Sequence, residues 1–133
     1  MTFKKVNLQI IGDARGSLIA IEGGKNLPFS IKRVYYIFGT GKNVRRGFHA
    51  HIDLKQILIC VNGSCKILVD DGYSKKNIKL SNPNQGLLLE GLIWREMYDF
   101  SDDCVLLVLA DNYYNEDDYI RNYNDFILKA VVD

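Results

Sequence analysis

Proline is scarce in this chain: Pro28 and Pro83 are the only two. With no low-complexity segment and no internal repeat, this leaves no room for a linker or a solenoid. Cysteine is scarce as well, and odd in number: Cys60, Cys65 and Cys104, with no C-x-x-C pair. That count speaks for buried free thiols in a reducing compartment. Net charge is nearly absent, +1 from 17 basic and 16 acidic residues. No bulk field draws the chain to nucleic acid or to a membrane, and no basic cluster extends beyond Arg45-Arg46. An anionic ligand would have to be met locally, by a few arginines. No apolar run is long enough to span a bilayer. The amino terminus moves straight into an alternating pattern and lacks a signal-peptide core. These absences predict a cytoplasmic protein of one domain, residues 1–133, whose 47% hydrophobic content supplies a single core.

What is present is mostly strand. Val6 to Ile11 and Leu18 to Glu22 flank a turn at Asp13–Ser17 and read as a hairpin. Ile31 to Phe38 is rich in β-formers, with Arg33, Tyr35 and Ile37 on one face. Gln56–Val61, Ser64–Asp70, Asn77–Leu80, Gly86–Leu89 and Leu92–Tyr98 follow at close spacing. Their turns carry Asn62-Gly63 and Asp71-Gly72. Cys104 to Ala110 is continuously apolar, as in a strand buried on both faces. Many short strands with such turns predict an all-β antiparallel barrel or jelly roll. The tail differs. Asn115 followed by three acids reads as a capped helix start. Tyr119, Ile120, Tyr123, Phe126 and Ile127 recur at helical spacing, so a C-terminal α-helix is expected over about 115–131. Its aromatic stripe reads as packing.

The centre of the chain is Gly47 to Gly63. It holds the only two histidines, His49 and His51. Two apart on a strand, they point the same way. Two such imidazoles are ordinary core residues, metal ligands, or metal-free proton carriers. The spacing His-x-His, four residues, an acid, six residues, Gly is similar to the first cupin motif. His49, His51 and Gly63 fit it. The acid position holds Gln56, and the histidine of the later Gly-x-x-His, beginning at Gly91, is replaced by Trp94. Neither a zinc set nor an iron facial triad is complete at these positions. Glu90, Glu96 or a cysteine would have to fill in.

Five segments extend the resemblance nearly end to end. They are Arg33–Ile37, Arg46–His51, Leu58–Cys65, Trp94–Met97 and Asp118–Tyr123. Together they resemble the dTDP-4-keto-6-deoxyglucose 3,4-ketoisomerases, cupin-fold enzymes of deoxyamino-sugar biosynthesis. The resemblance implies an isomerase without metal or cofactor, a dTDP-sugar substrate and a homodimer with exchanged strands. It also implies products destined for 3-aminated sugars of surface glycans such as the O-antigen of lipopolysaccharide.

Moving a ketone from C4 to C3 needs a base for the C3 proton, a shuttle between O3 and O4, and groups that stabilise charge on oxygen. His49 is the candidate carbon base and His51 the candidate shuttle, as the resemblance also implies; the reverse assignment stays open. Tyr35 and Arg33 share a strand face that could orient a histidine or hold substrate. Core packing is the plainer reading of Tyr35. Arg33 and Arg46 are candidates for the diphosphate, and Arg45 reads as solvated surface. Gln56 is a candidate ligand hydrogen-bonder. Stereochemistry adds a constraint. A single base that removes the axial C3 hydrogen and returns it to C4 from the same face leaves the C4 hydroxyl pointing up, the galacto product. Arg15 and Arg95 sit where the family varies between product types. Arg15 resembles the galacto group and Arg95 the gluco group; galacto is favoured weakly. The rivals are a non-catalytic dTDP-sugar-binding cupin, a metal-dependent cupin and a dTDP-sugar epimerase.

Overall fold

The computed structural model describes residues 3–131. Twelve strands and one helix follow in order: β1 (Phe3–Asn7), β2 (Ile11–Asp13), β3 (Gly16–Leu18), β4 (Arg33–Phe38), β5 (Arg46–His51), β6 (Lys55–Asn62), β7 (Cys65–Asp70), β8 (Lys75–Leu80), β9 (Gln85–Glu90), β10 (Trp94–Tyr98), β11 (Val105–Ala110), β12 (Tyr119–Ile120) and α1 (Tyr123–Val131). Two antiparallel five-stranded sheets, ordered β1-β9-β6-β11-β4 and β12-β5-β10-β7-β8, form a jelly roll.

The two inner faces supply one core. Leu58, Leu87, Leu89, Leu106 and Val108 of the first sheet meet Ile67, Val69, Leu80 and Met97 of the second. The first sheet is covered on its outer side too. Leu27 and Phe29, from the segment before β4, bury Ile57, Ile59, Leu88 and Leu109. Hence β6, β9 and β11 read as unbroken apolar runs. The second sheet is covered by α1, whose Phe126 packs on Ala50 and Trp94. Among the described residues no helix is long and apolar enough to cross a membrane.

Three expectations change. The first strand does not run from Val6 to Ile11. Phe3–Asn7 pairs with the open edge of β9, and the hairpin is the shorter one between β2 and β3. A local clamp sets its turn, because Asp13 accepts from both the backbone N–H and the guanidinium of Arg15. The helix does not begin at Asn115. Asn115 caps only a 3-10 turn, Glu116–Asp118, and Tyr119–Ile120 then pairs with β5. The helix starts at Tyr123, where Asn122 Oδ1 accepts the Asp125 N–H at 3.0 Å. Two asparagines compete for one cap, and the aromatic β-formers between them go to a sheet edge. Finally, β6 and β7 belong to different sheets, so Asn62-Gly63 carries the chain across the barrel.

Candidate active site

The imidazoles are aimed by a bulge. Strand β5 pairs with β10 through Arg95↔His49 and Glu96↔Gly47, which leaves Phe48 as an extra residue. Phe48 has φ 54° and Gly47 φ 96°. A Cβ on Gly47 would stand 2.9 Å from the Arg95 carbonyl oxygen, so glycine is required there. Beyond the bulge, His49 and His51 share the inner face, with ring centroids 4.9 Å apart and planes nearly perpendicular.

Partners come from both flanks of β5. On the β12 side Tyr119 lies opposite His51, and its ring centroid is 4.3 Å from that imidazole. Asp118 Oδ2 lies 2.9 Å from His51 Nδ1. Its other oxygen accepts the Asp53 N–H at 2.8 Å. Among the described residues, His51 Nε2 is buried without a hydrogen-bond partner. A carboxylate at Nδ1 fixes the proton there and leaves the Nε2 lone pair free to accept. On the β10 side, directly opposite His49, Arg95 is 2% exposed. Its guanidinium donates to Gln56 Oε1 and, at 3.1 Å, to the Ile93 carbonyl. Gln56 Nε2 in turn faces the Tyr35 hydroxyl at 3.4 Å.

Electrostatics follow from this packing. Burial, with Arg95 second, pushes His49 down to about 4. Burial, Arg95 and then His49 push His51 down to about 2. Both imidazoles are therefore neutral at physiological pH and able to accept a proton. Burial also lowers Arg95 to about 10, which leaves it charged. Among the described residues no carboxylate is salt-bridged to it; Asp118 acts on it through space and favours its charged form. Burial raises Tyr35, so its hydroxyl stays protonated.

His49 opens onto a cavity of about 380 Å³, lined also by Arg33, Tyr35, Arg46, Tyr119 and Arg121. Of the residues expected from sequence, His49, Tyr35, Arg33 and Arg46 line this cavity, while His51 lines a second one of about 300 Å³ together with Arg33, Asp118 and Tyr119. Arg15 lines neither. It lies on the β2–β3 hairpin with a side chain 90% exposed, paired with Asp13. Gln56 and Arg95 sit behind the imidazoles and line no part of either cavity. Three contributors lie in the Asp118–Tyr123 segment of the resemblance but were given no site role from sequence: Asp118, Tyr119 and Arg121. All lie in a segment read as helix; the Tyr119-Ile120 pair of β-formers was the available signal. Trp94, in place of the cupin histidine, is structural. Its Nε1 donates to Glu96 at 2.8 Å, and its ring meets Tyr123 edge-on. The metal-ligand cluster among the described residues, Cys60, Cys65 and Cys104, lies elsewhere.

Two imidazoles, one oriented by a carboxylate, beside a buried guanidinium in a jelly roll make a cupin-type site chemically able to take up and return protons. The comparisons carry this to a family. The family model described as "FdtA: WxcM-like, C-terminal" matches residues 1–131. The TDP-4-oxo-6-deoxy-alpha-D-glucose-3,4-oxoisomerase of Aneurinibacillus thermoaerophilus is 55% identical over 126 residues, 95% of this chain and 91% of that protein. A histidine-to-asparagine mutant of the 3,4-ketoisomerase QdtA from Thermoanaerobacterium thermosaccharolyticum, in complex with TDP-4-keto-6-deoxyglucose, superposes with a TM-score of 0.95. It is 47% identical, over 97% of this chain and 94% of that one. A 3,4-ketoisomerase from Helicobacter canadensis gives 0.95 at 48% identity, over 98% of each chain. The chain belongs to this family of sugar-nucleotide 3,4-ketoisomerases.

Proposed function

We propose that the protein converts dTDP-4-keto-6-deoxy-D-glucose to dTDP-3-keto-6-deoxy-D-galactose by metal-free histidine catalysis through an enediol, in the cytoplasm. The observation that carries this reading is the neutral imidazole pair, 4.9 Å apart on one face, next to a buried cation. His49, which lines the cavity, removes the C3 proton and returns it to C4. His51, with its Nδ1 proton committed to Asp118, uses Nε2 to move a proton between O3 and O4. Arg95 lies where its charge balances the enediolate. Arg33, Arg46 and Arg121 at the cavity mouth suit the diphosphate. One cavity-facing base favours the galacto product, because proton removal and return use one face.

The protein works as a homodimer with exchanged strands on this reading. Its support is the exposed apolar surface of Val34, Tyr36 and Phe38 on β4, with Ile10, Ile11 and Leu18 around the β2–β3 hairpin. An exchanged hairpin would carry Arg15, remote from its own cavity, toward the second copy.

The test is proton NMR of the reaction in D2O with a chelator present. A 3-keto product with the small H4–H5 coupling of a galacto sugar is expected. A gluco coupling overturns the single-face argument. Exchange at C5 in place of C3 marks an epimerase. Binding without turnover, even after metals are restored, marks a non-catalytic sugar-binding cupin.

A further inference from the structure

The barrel interior has a second polar pole. Along β6 the inward side chains are Gln56, Leu58 and Cys60. Gln56 belongs to the imidazole end, and Cys60 lies four residues further, about 13 Å along the strand. There it meets Cys65 at the start of β7 and Cys104 just before β11. Three separate segments thus deliver three thiols to one point, all within the apolar core. The sulfur atoms lie within 4.8 Å of one another, and Cys60 Sγ is 3.5 Å from Cys104 Sγ.

We propose that Cys60, Cys65 and Cys104 form a three-coordinate site for a soft monovalent cation, Cu(I). A metal–sulfur bond of about 2.3 Å in a trigonal plane puts the sulfurs about 4.0 Å apart. The observed spacing brackets that value, so the site closes on an ion by small side-chain rotations. Ligand type selects the ion. Sulfur-only sites favour Cu(I) and zinc, but structural zinc takes four ligands. The cluster offers three donors, and no histidine or carboxylate joins it among the described residues. The ion takes sulfur as thiolate, so loading releases the protons of the coordinating thiols, and retention should weaken in acid.

An access route exists. Cys65 lines a surface depression of about 350 Å³ with Ser64, Lys66, Phe100 and Ser101. Before loading, the Cys60 thiol donates to the Asn62 carbonyl at 3.1 Å, a bond that ends when this sulfur loses its proton to bind the ion. This pole is separated from the imidazoles by the length of the core, so the site is independent of the isomerase reading.

The test uses the reduced full chain under anaerobic conditions, titrated with Cu(I) against the chromophoric chelator bicinchoninate. One equivalent per chain should be withheld from the chelator. The copper X-ray absorption spectrum should contain sulfur neighbours only, at about 2.3 Å. C60S, C65S and C104S should each weaken retention by more than about a hundredfold, beyond what the loss of an outer-shell partner usually costs. No withheld copper overturns the proposal. So does a shell containing nitrogen, which would put the ion on His49 and His51, or folded cysteine variants that retain copper as wild type does. If the variants do not fold, the wild-type absorption spectrum decides alone.

Discussion

Replacing Asp118 with asparagine isolates one proton. In the wild type, Asp118 accepts from His51 Nδ1 at 2.9 Å and from the Asp53 N–H at 2.8 Å. Asparagine has one oxygen. If it keeps the Asp53 bond, its NH2 faces His51 Nδ1 and donates to it. The imidazole proton must then move to Nε2, the buried atom that has no partner among the described residues. The lone pair needed for proton transfer is lost, though no ring atom moves. If instead the amide turns around, its NH2 opposes the exposed Asp53 N–H, and that hydrogen bond is lost at a cost of about 0.5–1.5 kcal/mol. The first arrangement is therefore favoured. In serine-protease triads the same acid-to-amide change costs about 10⁴ in kcat, through the wrong tautomer. Here Asp118 lies nearer to solvent, so we expect a fall of about 10²–10⁴, or about 3–5 kcal/mol of barrier at about 1.36 kcal/mol per tenfold. The assay is single-turnover conversion of dTDP-4-keto-6-deoxyglucose followed by NMR, with dTDP affinity measured alongside. Affinity should hold within about threefold, since only the proton position changes. A kcat within about threefold of wild type would refute the tautomer argument and remove His51 from the proton path.

The remaining predictions concern charge and backbone. Burial lowers His49 to about 4, so kcat/KM should be flat near neutral pH and fall as acid protonates the base near pH 4; an acid limb centred near 6.5 would contradict its burial. The same shift affects stability: the unfolded chain binds the His49 proton below about 6.5 and the folded chain resists it until about 4. Stability should rise with pH across that window, by about 3 kcal/mol from this residue, and level off above it, as urea melts at several pH values would register. Arg95→Met removes the buried charge while filling its volume. Turnover should drop about 10²–10³, and the acid limb should move up in pH, because Arg95 is among the groups that depress both histidines. An unchanged acid limb would rule out that coupling. Gly47→Ala meets both a positive φ of 96° and a backbone oxygen 2.9 Å from the new Cβ. It should cost about 1–3 kcal/mol in stability and turnover beyond that, since the bulge that aims His49 is disturbed. Wild-type activity in a thermally destabilised variant would show that aim to be unimportant.

Local chemistry made much of this legible in the chain. Alternation on a strand is a property of two neighbouring residues, so the shared face of His49 and His51 required no fold. Turn residues such as Asp71-Gly72 act over four positions, and the β7–β8 hairpin follows. The apolar run Val105–Ala110 carries its two-sided burial in its composition. The tertiary structure decided whatever depended on partners distant in sequence. Asp118 is 67 residues from His51, and only an edge left open on β5 recruits Tyr119–Ile120 away from the helix. Arg95 reads locally as one more strand residue. Its burial behind the imidazoles, and its share in depressing both of them, exist only after β10 is laid beside β5. The thiols show the same division. Their number and apolar setting are in the sequence, but the convergence of Cys60, Cys65 and Cys104 arises where β6, β7 and the start of β11 meet. Short-range sterics and hydrogen bonds write themselves into neighbouring residues, whereas charge acts through space between segments that meet only when the two sheets close.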